Sequence, residues 1–276
     1  MNPTSFKLLQ NMQTELSSRP LYNFALIPNI NHKLSELAKL AEPEDWEYKR
    51  TLSPNPLPIL FNYIHYTFNR LEEEGKIAVS ADNRYACFNS GLVTANQEPI
   101  FVFFTKNKNY PKGDSRPWHF AKFCRQGEYE LSRFHVLPAL AHYFDDPSCL
   151  VFDIRCELRV NIEHIINENK SRFPTPYCDK DNYELQNLLN GSIEGAKKRV
   201  QRNYKAAIPQ YYRGKVQLLL PLCISRPSCA DLALVVERCT IENANNLYRA
   251  STCLTLDMAY NNARQLARPD RDWLQP

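Results

Sequence analysis

Glycine is scarce in this chain, with seven in 276 residues against nineteen prolines. Loops must therefore be set by proline and polar side chains rather than by glycine turns. No apolar run approaches the ~20 residues that a bilayer span needs, and the N-terminal MNPTSFKLLQNMQTEL is polar, without a signal-peptide core. The expectation is a cytoplasmic protein with no membrane partner. The sequence also lacks G-x-x-x-x-G-K-[ST], a G-x-G-x-x-G after a strand, G-x-S-x-G and H-E-x-x-H, which argues against P-loop, dinucleotide-fold, serine-hydrolase and zincin chemistry. Its nine cysteines contain no C-x-x-C pair. Most lie in apolar stretches such as LPLCI and SCLVF, so they read as reduced small hydrophobes, not as a zinc site or a disulfide frame.

What is present is a globular composition, 43% hydrophobic with mixed charge and a net +4. Short helices are expected at 5–16 and 32–41. Leu57, Leu60, Phe61, Ile64, Phe68 and Leu71 recur at helical steps, and Gly75 ends that stripe. Strands are expected around the turn Ala81-Asp82-Asn83, at 99–105 and 117–124, then a helix at 131–144 despite Pro138. Further strands are expected at 149–154 and 157–162, with a short helix at 162–170. Asp181-x-x-Glu184 has capping-box form and opens a long helix to about Ala207 before Pro209. Val216–Ile224 and Leu232–Val236 are apolar without alternation, as strands covered on both faces are; Pro221 predicts an edge or a bulge in the first. A strand at 247–254 and a helix from Leu256 to Ala267 complete the chain. The class is α+β, a mixed and largely antiparallel sheet with flanking helices and a small helical, winged-helix-like N-terminal part. The expected division is an N-terminal helical arm, 1–54, and a main domain, 55–276, with a subdivision near 145–150 left open.

Positive charge is concentrated. Residues 106–125 and 194–213 each hold six Lys/Arg against one acid, a net +5 apiece, so the rest of the chain sums to −6. Both interleave aromatics, Tyr110, Trp118, His119, Phe120 and Phe123 in one and Tyr204, Tyr211 and Tyr212 in the other. Cations beside flat rings suit phosphates with attached bases. The competing reading is two solvated basic faces.

Three helix faces carry the candidate residues. The long helix puts Leu189, Ile193, Ala196, Val200 and Tyr204 on one side and Glu194, Lys197, Lys198, Gln201, Arg202 and Lys205 on the other, a cationic ridge or an ordinary wet face. On the C-terminal helix Asp257, Asn261, Arg264 and Arg268 stack at steps of four, three and four. That ladder suits a nucleotide, with Arg on phosphate, and suits the helix dipole equally. On the short helix His164 and Glu168 are one turn apart, with Arg172 further on, as acid–base work requires, although surface couples of this kind are common. Asp153, Glu157 and Arg159 hint at a metal-dependent nuclease, but strand-edge pairing is the stronger reading of Asp153 and Arg155.

The phrases NIEHIINENKSRFP, GAKKRVQRNYKAAIPQYY, VQLLLPL, DLALVVER and TLDMAYNNARQLARPDRDWL, with FNSGLVT and IFVFFTKN upstream, resemble an uncharacterised bacterial family that carries only a domain-of-unknown-function label. The resemblance spans roughly residues 55–274, with Thr expected where this chain has Ser90. Members of that family occur beside cold-shock and LOTUS (OST-HTH) domains, which implies RNA metabolism by association and assigns no catalytic residue. It favours His164, Arg172, Lys198, Asn203, Lys205, Asp257, Asn261 and Arg264, each of which sits within a matching phrase.

The expected function is RNA or nucleotide binding through phosphate contacts. If there is turnover, it is that of a nuclease/phosphodiesterase or a nucleotide hydrolase or transferase. His164, Glu168 and Lys198 would then be catalytic, and Arg172, Lys197, Arg202, Asn203, Lys205, Asp257, Asn261 and Arg264 would bind ligand. If a metal takes part, Mg2+ on Glu168 and Asp257 is the expectation. A non-catalytic RNA-binding module and a protein–protein interaction domain are the alternatives. All of this presumes that the polar sides of 162–172, 194–205 and 257–268 converge on one anion-receiving hollow.

Overall fold

The computed structural model describes residues 20–239, 247–269 and 273–274; the helix expected at 5–16 lies outside them. The class is α+β, with two five-stranded mixed sheets. The chain divides into two compact units. One holds the described residues up to Glu47 together with Ser53–His142, and the other holds Tyr48–Leu52 together with the described residues from Tyr143. Residues 20–47, expected in an N-terminal arm, are thus grouped with 53–142.

The first unit runs α1 (Pro20–Phe24), β1 (Ala25–Leu26), α2 (Ile30–Leu40), α3 (Pro58–Glu73), β2 (Ala78–Val79), β3 (Tyr85–Val93), β4 (Pro99–Lys106) and β5 (Trp118–Arg125). Its sheet order is β1-β5-β4-β3-β2, with β1 parallel to β5 and the rest antiparallel. Pro58 at the first turn pre-sets α3, whose Ile59, Leu60, Ile64, Phe68 and Leu71 are buried. The register of β3 shifts after Asn89, and Gly91 sits there with φ +75, where a Cβ would strike the Tyr63 hydroxyl. Ser90 braces the irregularity by donating to the Ile100 carbonyl at 2.6 Å and accepting from Leu92 N–H at 3.2 Å. A threonine hydroxyl would make the same pair of bonds.

The helix expected at 131–144 does not form. A 3-10 turn, Tyr129–Arg133, is followed by irregular chain. Its backbone is satisfied from α3 and the turn after it: Arg70 donates to His142 O (2.7 Å), Lys76 donates to Leu140 O (2.9 Å), and the Glu74 carboxylate accepts His142 N–H (3.1 Å). Those side chains satisfy Leu140 O and both backbone groups of His142 without a helix.

The second unit runs β6 (Glu157–Val160), α4 (Ile162–Asn169), α5 (Asn182–Arg202), β7 (Ile208–Tyr212), β8 (Lys215–Leu222), β9 (Leu232–Cys239), β10 (Leu247–Thr255) and α6 (Leu256–Arg264). The order is β6-β10-β9-β8-β7, with β6 parallel to β10. Strand pairing makes β8 interior, so the edge expected from Pro221 is corrected. Pairing with β7 stops at Leu219, which leaves Pro221 a ladder neighbour only in β9 and lets it do without an N–H. The expected strand at 149–154 is also absent. Asp146 caps a 3-10 turn, Pro147–Leu150, and Phe152 stacks on Tyr248 at 4.4 Å.

One face of this sheet presents Leu218, Leu220, Leu222, Leu232, Leu234 and Val236 to Ile165 and Ile166 of α4 and to Leu185, Leu189, Ile193 and Val200 of α5. Helix α6 covers the other face. Its Asn262 donates to Gln210 at 3.2 Å, Gln210 pairs with Gln217, and Gln217 alternates with Leu218 of the α4–α5 core. Asp181 caps α5 by accepting Glu184 N–H at 2.9 Å. The helix stops at Arg202, short of the expected 207, because Asn203 is extended and its side chain takes Lys205 N–H.

Two glycines, Gly191 and Gly195, sit in the middle of α5 without positive φ, and a Cβ on either would meet nothing within 4 Å. Replacing each with Ala should raise stability by about 1 kcal/mol. A rise in melting temperature checks this, and a fall would show that the helix packs more tightly there than its surroundings indicate.

Candidate functional site

Helix α6 begins at Thr255, whose hydroxyl accepts Met258 N–H at 3.4 Å. Asp257 follows in its first turn and is only 2% exposed, yet neither carboxylate oxygen has a hydrogen-bond partner. One turn on, Asn261 donates to the Tyr48 hydroxyl. Beside it Asn262 opens a ladder across the sheet. Gln210 donates to Gln217 at 3.0 Å, Gln217 donates to Glu237 at 3.2 Å, and Lys215 donates to Glu237 at 2.6 Å and holds that carboxyl below its ordinary range. Tyr48, Asn262 and Gln210 had no sequence signal. Their partners are set by strand register and by a segment some 200 residues away in the chain.

A cleft of about 320 Å³ opens where the C-terminal end of α6 meets the start of β7. Ala263, Leu266, Ala267, Arg268 and Pro269 form one wall, Tyr204, Lys205 and residues 207–209 the other, and Leu150 and Val151 close it. Asn203 shapes the Lys205 side: its Oδ1 accepts Lys205 N–H at 3.0 Å while its own N–H donates to Arg199 O at 3.0 Å. Trp273 pins the same turn by donating to Ala206 O at 2.8 Å. The result is an apolar floor bordered by an exposed tyrosine ring, a lysine and an arginine. Such a cavity suits a flat ring carrying negative charge.

The remaining candidates are dispersed. His164 and Glu168 stand exposed on α4, and His164 N–H is taken by Asn161, which caps that helix. Lys198 and Arg202 are exposed on α5, and Lys197 pairs with Glu194 at 2.7 Å. Arg172 reaches β10, donating to Cys253 O at 2.5 Å and Thr252 Oγ1 at 3.3 Å. Next to it the buried Asn169 accepts from Thr252 Oγ1 and Cys253 N–H, so the two residues hold the irregular stretch of β10. Arg264 is half-buried on α6.

The three polar faces therefore do not converge. Helices α4 and α5 lie on one side of the sheet and α6 on the other, so Glu168 and Asp257 cannot share an ion. Of the ridge only Lys205 reaches the cleft, where Tyr204 and Arg268 meet it.

In the other basic segment most charge is already engaged. Arg116 forks onto Asp114 at 2.8 and 2.7 Å and holds that carboxyl down at about 2, and Lys122 bonds Glu128 and Glu130. Lys106 lies 4.7 Å from the Trp118 ring centroid and 5.4 Å from that of Tyr110, and Trp118 and Phe120 are buried. Arg155 likewise forks onto Asp153, both bonds at 2.9 Å. Among the described residues the one group with metal-ligand proximity is Cys124, Glu128 and Glu130. The Lys122 ammonium bridges its two carboxylates, and burial pushes the Cys124 thiol up to about 12.

The family model described as Domain of unknown function (DUF3825) matches residues 37–273, and the chain belongs to that family. No curated protein and no solved structure matches it. Among the described residues no helix is long and apolar enough to cross a membrane.

Two substitutions separate site from scaffold. Asp257→Asn should raise stability by about 1 kcal/mol, because it removes a buried carboxylate that accepts no hydrogen bond; a lower melting temperature would show that the fold uses the carboxylate. Arg172→Ala should cost about 1–3 kcal/mol by leaving β10 acceptors unmet, with ligand affinity unchanged.

Proposed function

We propose that this protein binds RNA or a nucleotide, with one base and its phosphate seated in the cleft between α6 and β7. The supporting observation is the placement of Lys205 and Arg268 around an apolar floor beside the exposed Tyr204 ring. Tyr204 stacks on the base, the two cations neutralise phosphate oxygens, and Pro209 and Leu266 exclude water from the ring edge. The family resemblance, with its cold-shock and LOTUS associations, adds RNA as the expected polymer. Catalysis is not part of this reading, since His164 and Glu168 stand on the opposite side of the sheet from Arg268.

Fluorescence anisotropy with a labelled single-stranded RNA hexamer tests it. Lys205→Glu with Arg268→Glu should weaken hexamer binding at low salt by at least about tenfold. The neutral double variant should flatten the log-affinity against log-salt slope by about 1.4. Tyr204→Ala should weaken binding by about 1–3 kcal/mol. Wild-type affinity in the charge-reversed variant would refute the cleft as the site.

A further inference from the structure

We propose that a groove along α5 is a second ligand site, receiving a phosphate-bearing molecule against a strip of bare helix backbone. The groove has a volume of about 410 Å³ and shares no lining residue with the cleft described above. Its wall is Gly191 and Gly195, one turn apart. Neither has a backbone angle that requires glycine, and a Cβ on either would meet only open space. Glycine in a helix interior is unfavourable, so the pair is not explained by the fold. It leaves the backbone accessible to something that lies flat on it.

A second observation points the same way. Ser192 lines the groove, is 7% exposed, and its hydroxyl has no hydrogen-bond partner, so a donor and an acceptor stand ready beside the glycine strip. At one end two guanidiniums are present. Arg199 is fixed by donating to Pro227 O and by contact with Cys223 Sγ at 3.5 Å, which leaves its other N–H donors available, and Arg226 is exposed on the loop between β8 and β9. The carboxylate of that loop, Asp231, is engaged in accepting Ile224 N–H, Ser225 N–H and the Ser225 hydroxyl, and Glu194 of α5 pairs with Lys197. Two arginines at the end of a polar, glycine-walled groove match a phosphate with an attached flat or sugar moiety.

The phosphate can come from a free nucleotide or from a nucleic-acid backbone, and calorimetric titration of the full chain with AMP, inorganic pyrophosphate and single-stranded oligoadenylate tells these apart. Binding of AMP identifies a free nucleotide, whereas binding of the oligomer alone identifies the backbone. Gly191→Leu with Gly195→Leu fills the groove, and Arg226→Ala removes a surface cation without touching the core. Each should weaken binding at the groove by at least about tenfold, while Lys205→Glu with Arg268→Glu removes only the cleft's share of the binding and leaves the groove's event intact. Failure of every probe to bind at millimolar concentration, or unchanged affinity in both Arg226→Ala and the leucine variant, overturns the proposal. Loss in the Lys205/Arg268 variant alone would leave the cleft standing and remove the groove. Loss of the groove's binding event alone, with the cleft's event retained, is the result expected of two independent sites.

Discussion

Burial of β8 and β9 on both faces is the constraint from which the rest of the second unit follows. Leu218, Leu220 and Leu222 face α4 and α5, while Leu219 and Val235 look the other way, so helices must cover both sides of the sheet. A sheet clothed in this manner separates the polar outer surfaces of its helices. Basic residues on α5 and the Asp–Asn–Arg ladder on α6 are thereby held apart by the thickness of the sheet, however well each is arranged along its own axis. Where the two layers do approach, at the margin by β7, the chain passes from α5 through the 204–206 turn, and the last turn of α6 ends close by. Charge and apolar surface meet there.

Polar groups inside this unit fall into two energetic classes. The Asn262–Gln210–Gln217–Glu237–Lys215 ladder is linked from end to end, so its burial is compensated and it fixes α6 to the sheet. Asn169 and Arg172 do the same for β10. Asp257 is different. It is as buried as any of them and accepts nothing, although its place in the first turn of α6 offsets part of the cost through the helix dipole. A buried carboxylate without a hydrogen bond carries a penalty that the dipole only partly offsets, and chains tolerate such groups where something other than the fold requires them.

Local signals in the sequence carried much of the architecture. The three-and-four spacing of Leu60, Ile64, Phe68 and Leu71 marked α3, the Asp181–Glu184 pair marked the start of α5, and unbroken apolar runs marked β8 and β9. Failures came where satisfaction is non-local. Residues 131–144 look helical by pattern, but the chain there is irregular, and Arg70, Lys76 and Glu74 take up the backbone groups of Leu140 and His142 instead. Short β7, IPQYY, has no periodicity of its own and exists because β8 templates it. For the site, spacing placed Asp257, Asn261 and Arg264 on one face, yet which way that face looks depends on strand register, which no local pattern contains. Summed charge misled in another way. Lys122 and Arg125 pair with Glu128 and Glu130, which lie just beyond the counted segment 106–125, so its net charge overstates what reaches solvent.

Seen this way, α5 is the element whose composition is hardest to explain by folding alone. One side supplies Leu185, Leu189, Ile193 and Val200 to the core, which is sufficient to hold a 21-residue helix in place. Its remaining surface needs only good helix formers, and the neighbouring lysines and arginines are such residues. Glycine at 191 and 195 departs from that rule on the side that faces the β8–β9 loop, where Arg199 and Arg226 line the same groove. A helix stabilised by packing on one face can carry weak positions on another, so the cost is local and the fold survives it. What the two glycines do provide is an uncovered stretch of backbone, adjacent to an unpartnered hydroxyl and two cations. That combination has a chemical use only when a third molecule is present.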